Sequence, residues 1–129
     1  MRCFLKGFLG ALLMLALAAV IIPQYSDYVA RAETGVLLVL LEPVQRAIEA
    51  DAAKQKSFAG MAKHLALPAK IADKLTVFEV SDAGEIIAKG GRNGQMIILS
   101  PSLLDGKITW RCLGAPDHDV PARCRSARP

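Results

Sequence analysis

Aromatic side chains are scarce, at 5% of the chain, although 53% of its residues are hydrophobic. The apolar excess is therefore aliphatic, and most of it sits in the N-terminal segment. Charge is missing altogether from residues 8–22, FLGALLMLALAAVII, where Gly10 is the one residue that weakens a helix. Such a run has no favourable place in water and calls for lipid or other helices around it. Motifs that carry chemistry are also missing. No nucleophile elbow, phosphate-binding loop or metal-binding helix occurs, so no enzymatic activity and no cofactor are expected. Cysteines number three, without zinc-finger spacing.

Cys3 lies inside N-terminal targeting text, whereas Cys112 and Cys124 lie near the other end. A pair closing a short loop in a small exported domain is most simply a disulfide; the alternative is two free thiols in a cytosolic protein. The formal net charge of +4 suits weak attraction to anionic surfaces and does not by itself indicate a nucleic-acid reader.

Arg2 and Lys6 precede the apolar run, which predicts that the N-terminal end stays cytoplasmic while the rest crosses a membrane. Three fates are open to the segment. Signal peptidase cleavage after Ala18, in the small-x-small text Ala16-Leu17-Ala18, would release a soluble product. The segment could instead stay as an uncleaved anchor, or residues 1–7 alone could be removed to leave Phe8 at the N-terminus. As a helix, residues 8–22 reach roughly 22 Å, short of the ~30 Å hydrocarbon core, and counting from Cys3 with Lys6 reaching to the surface lengthens the span.

Beyond Pro23 the text turns polar, and apolar residues return at Val36, Leu37, Leu40, Leu41, Val44 and Ile48, a one-faced helical spacing. Pro23 and Pro43 are expected to bend this rod without ending it, the alternative at Pro23 being a separate second helix. Asp27, Arg31 and Glu33 mark its solvent face. One long helix over residues 8–56 is the simplest reading. It leaves roughly 75 residues for a single small head at 57–129, near the lower limit for one hydrophobic core.

Within the head, residues 57–74 read as a connector with a short helix or turn near 58–65. His64 falls there, beside lysines, and reads as a solvated side chain. The period then changes. LTVFEV (75–80), EIIAK (85–89), QMIILS (95–100) and KITWRC (107–112) are short strand texts separated by turns at Asp82-Ala83-Gly84, residues 90–94 and Asp105-Gly106. They predict an antiparallel meander over 75–112, and hence an α+β fold. Its apolar face needs a cover. The stripe from Val36 to Ile48 is the one long candidate, which lays the strands over Leu37, Leu41 and Val44, with Leu40 and Ile48 as further packing residues.

The tail (112–129) has prolines and no period, and a Cys112–Cys124 bridge would hold it down. Asp117-His118-Asp119 invites a metal reading, but three adjacent residues on one loop do not converge on one ion, and no metal site is expected. Arg111, Arg123, Arg125 and Arg128 form a loose basic cluster.

These residues resemble the type IV pilins over nearly the whole chain. MRCFLKG before Phe8 looks like a prepilin leader, with Lys6, Gly7 and Phe8 as the processing site. The string from Ile22 to Ala32, IPQYSDYVARA, is similar to the helix text that follows the buried segment in that family, and Pro43 sits where many members have a second helix-bending proline. LSPSL (99–103), DGKITWRC (105–112) and VPARCR (120–125) resemble the last strands and disulfide-closed tail of Gram-negative pilins. Two departures stand out. The apolar segment is about six residues shorter than the family's, and the family's glutamate near the mature N-terminus is missing: its place falls on Leu12 counted from Phe8, or on Lys6 counted back from Pro23.

The resemblance implies a pilin-like fold, a protruding apolar half-helix, a methylated N-terminal Phe8 and assembly by helix packing in a filament core. It also implies an inner-membrane location with a periplasmic head before assembly. Other pilin subunits, a prepilin peptidase and the assembly machinery are the partners to expect, and adhesion, motility or DNA uptake the role. The alternative is a minor, accessory or DNA-uptake subunit that stays in the membrane and assembles poorly. DNA contact would fall to Lys107, Arg111, Arg123 and Arg125; the lack of interleaved aromatics counts against base stacking.

Overall fold

The computed structural model describes residues 1–61, 65 and 69–126. Arg128 and residues 62–64 of the short helix expected near 58–65, His64 among them, lie outside that set. Arg2–Gln55 form one helix, α1, of 54 residues with Pro23 and Pro43 inside it, about 80 Å long at 1.5 Å per residue. Each proline removes one ladder hydrogen bond, and the helical text on both sides carries α1 through. The leader-like residues are helical too, so α1 begins ahead of the expected residue 8. It stops at Lys56, in the left-handed conformation (φ 54°, ψ 25°).

Burial divides α1 in two. Every residue from 1 to 25 except Ala18 is exposed, whereas Ala30, Thr34, Leu37, Leu38, Leu41, Val44, Ile48 and Ala52 are buried. Their three-and-four spacing is one helical face. The expected stripe is displaced slightly. Leu38 belongs to it, Leu40 is only half-buried, and Val36 is exposed, because the buried face follows 34, 37/38, 41, 44 and 48, about a third of a turn away from Val36 and Leu40.

The head opens with a four-residue helical turn, α2 (Ala69–Ala72), which buries Ile71 in a stretch expected to be irregular. Four strands follow: β1 (Leu75–Val80), β2 (Ile86–Gly90), β3 (Gln95–Leu104) and β4 (Lys107–Ala115). They pair antiparallel in the order β1-β2-β3-β4. The chain is thus α+β, one long N-terminal helix and a four-stranded antiparallel meander. Ile86, Leu99 and Cys112 stand opposite one another across three strands, as do Ala88 and Ile97. The inner face of the sheet forms one core with α1: Val80, Ile86, Ala88, Ile97 and Leu99 join Leu37, Leu38, Leu41, Val44 and Ile48. Leu75 and Phe78 of β1, and Ile108, Trp110 and Cys112 of β4, pack against it half-buried. The middle strands therefore supply most of the core, and the outer two flank it.

β1 ends where its text suggests, whereas β2, β3 and β4 end later. β3 continues past Pro101 to Leu104, and beyond Leu99 it pairs with β4 alone. Pro101 thus has a free edge on one side, where a missing N–H costs no ladder bond. Leu104 and Lys107 face each other across Asp105 (φ 52°) and Gly106 (φ 76°). Positive φ at both positions is the two-residue hairpin turn that Asp-Gly favours. β4 runs on through Gly114, where a Cβ would come within 2.8 Å of Val120 Cγ1, so only glycine lets the tail lie this close. After a cis Ala115–Pro116 bond the tail makes single 3-10 turns at Asp117–Asp119 and Ala122–Cys124. Cys124 is buried and bonded to Cys112.

Candidate functional site

The front of α1 presents apolar side chains on all sides: Phe8, Leu13 and Ile22 are 57%, 64% and 66% exposed. Between Lys6 and Asp27 there is no charge to interrupt them. Monomeric soluble proteins rarely expose a contiguous apolar surface of this extent, which marks it as a place of contact with lipid or other chains. Among the described residues α1 is the one helix long and apolar enough to cross a membrane. Lys6, Gly7 and Phe8 lie in its first turns, exposed, with open space around Gly7.

Where α1 enters the head, polar groups from three segments converge on it. Gln95, fully buried, donates from Nε2 to the Ala30 carbonyl at 3.2 Å and accepts the Asn93 N–H at Oε1 (3.1 Å). Thr34 Oγ1 stands 3.0 Å from the Ala30 carbonyl and 2.9 Å from that of Asp119, and its single proton is shared between them. Glu33 accepts the backbone N–H and the Nε–H of Arg92 at 3.1 and 3.2 Å, while Arg31 donates to the His118 carbonyl at 3.0 Å. Asn93 Nδ2 donates to Asp119 Oδ2 at 2.9 Å. Arg31 and Glu33, expected to face solvent, instead grip the head's rim, together with Asp27, whose carboxylate lies close to His118 and Asp119.

This collar was not read from the sequence. A Gln opening a strand and an Asn in a turn look like ordinary surface residues, and only the fold brings them against α1. Asp117 lines a cleft with His118, its carboxylate accepting from the Ser126 N–H and hydroxyl.

The expected basic residues are spread out. Lys107 and Arg111 share the outward side of β4, exposed. Arg123 lines a small cavity with Leu38, Glu42, Leu99 and Trp110. Arg125 donates to the Val120 carbonyl at 3.3 Å and lines a different cleft with Arg31, Asp117, His118 and Ser126. The outward face of the sheet carries a short apolar row, Ile87, Ile98 and Leu113, in direct register. No family model, curated protein or solved structure matches this chain.

Proposed function

We propose that this chain is a pilin-like structural subunit, which assembles with other pilin subunits by packing the front of α1 in a filament core while the β-bearing head faces outward. The observation that carries this is the wholly exposed apolar front, continuous with the helix that seats the head. Helices in a membrane or dry core associate by side-chain packing with every backbone group satisfied internally, and an uncharged rod meets both needs. The head stays outside because its core is closed by its own helix. Assembly makes and breaks no bond within the chain. Before assembly the front anchors the subunit in the inner membrane with the head in the periplasm, where the Cys112–Cys124 bridge persists. The resemblance assigns Lys6, Gly7 and Phe8 to the peptidase and Phe8 to methylation.

A minor or accessory subunit is the second reading, favoured by one feature: the first acidic residue of α1 is Asp27. With Leu12 or Lys6 in place of the family's glutamate, no carboxylate attracts the N-terminal amine of a neighbour, and docking relies on packing alone.

Sequencing the N-terminus of the membrane-extracted protein, alongside its yield in sheared surface filaments, tests both. Phe8 with protein in the sheared fraction is expected for a filament subunit, and Phe8 with none for a membrane-retained accessory. Ala19, a secreted monomer, contradicts the proposal.

A further inference from the structure

We infer that Asp27, His118 and Asp119 form a site for a zinc(II)-class divalent ion that ties α1 to the C-terminal tail. One ligand atom from each of the three lies within 4.8 Å of the others, although Asp27 comes from the opposite end of the chain. Asp119 is fully buried, and its Oδ1 has no hydrogen-bond partner among the described residues. That atom faces His118 Nε2 at 3.5 Å, an ion-pair contact only when the imidazole is protonated and beyond the usual N–H···O hydrogen-bond range. A buried carboxylate oxygen without a partner is costly, and native folds rarely leave one so.

The rest of the arrangement fits a ligand set. Asn93 donates to Asp119 Oδ2 at 2.9 Å, and the tail's 3-10 turn is held by Thr34 on the Asp119 carbonyl and Arg31 on the His118 carbonyl. A hydrogen bond to one carboxylate oxygen orients the group and leaves its other oxygen for a metal. Asp119 is thereby fixed. Asp27 is half-buried and His118 exposed, so both can close the remaining distance by rotamer adjustment to bonds of about 2.0–2.1 Å.

The donor set selects the ion. One imidazole and two carboxylates match zinc(II) and its neighbours, with a fourth position left to solvent. Calcium takes six to eight oxygens, which this site lacks. Charge also speaks against a purely electrostatic site, since Arg31 and Arg125 line the cleft that His118 borders; an ion that gains from coordination to imidazole overcomes them. The site is independent of whether the chain assembles.

Equilibrium dialysis of the EDTA-stripped full chain in detergent micelles against zinc chloride tests it. The expected result is one saturable equivalent per chain, with affinity lowered at least about tenfold in His118→Ala and in Asp27→Asn, both on accessible side chains that leave the far-UV circular dichroism unchanged. His64→Ala, the chain's other histidine, keeps wild-type affinity. Absent or non-saturable binding overturns the inference, as does full affinity in either ligand variant or its loss in His64→Ala.

Discussion

Leu41 is fully buried at the centre of the helix face that meets β2 and β3, whereas Val36, a turn earlier, is 50% exposed. Leu41→Ala removes buried methyl groups and leaves a cavity, so it is expected to cost about 2–5 kcal/mol of head stability. Val36→Ala should stay within about 0.5 kcal/mol. Urea unfolding followed by the fluorescence of Trp110, the single tryptophan, reads both. Its indole N–H donates to Glu49 at 2.7 Å, so it reports directly on the helix–sheet contact. Equal costs at the two positions would contradict the observed face. Gln95→Leu is expected to destabilise the head by about 1–3 kcal/mol by the same measurement, since it strips the Asn93 N–H of its acceptor inside the collar. A neutral result would mean that the collar does not hold α1. Of these residues only Leu41 was legible in the sequence, because hydrophobic spacing reports a face to within a side chain or two. Polar partners such as Gln95, Asn93 and Asp119 carry no local period, and their roles exist only once distant segments meet.

At the scale of elements, periodicity was a good guide to type and a poorer one to ends. α1 passes both prolines as its text suggests, and the switch from helical spacing to alternation near residue 75 marks β1. β3 and β4 outrun their expected ends, Ser100 and Cys112, and run through Pro101 and Gly114. Each is tolerated for a tertiary reason: Pro101 on a free strand edge, Gly114 under Val120. The tail behaves as an element because of its cross-link. Replacing Cys112 and Cys124 together by Ser frees the loop in the unfolded chain and is expected to cost about 3 kcal/mol. Urea midpoints of the variant and of the reduced wild-type protein should fall together. An unchanged midpoint would show that Val120 packing alone retains the tail.

For the molecule as a whole, the two halves of α1 separate two tasks. The rear half is committed to its own head, and among the described residues the front half is left exposed. Leu13→Lys places a charge in the middle of that front, where an ammonium in an apolar surrounding is costly. It is expected to lower the membrane-bound or filament-associated fraction severalfold while leaving the Trp110-monitored stability of the head unchanged, since the core described for the head takes nothing from α1 before Leu37. Loss of head stability would show that the two halves are not separate.

Disulfide trapping between copies asks most directly whether the front of α1 meets its own kind. In a Cys3→Ser background, single cysteines at Leu12, Leu13, Met14 and Leu15, which together go round the circumference of α1, would be oxidised in intact cells and resolved on non-reducing gels. Packing of the front of α1 against its own kind predicts cross-linked dimers at the subset of these positions that shares one helix face, and none at Arg92 on the head rim. Monomer throughout, or equal cross-linking at every position including Arg92, would contradict it.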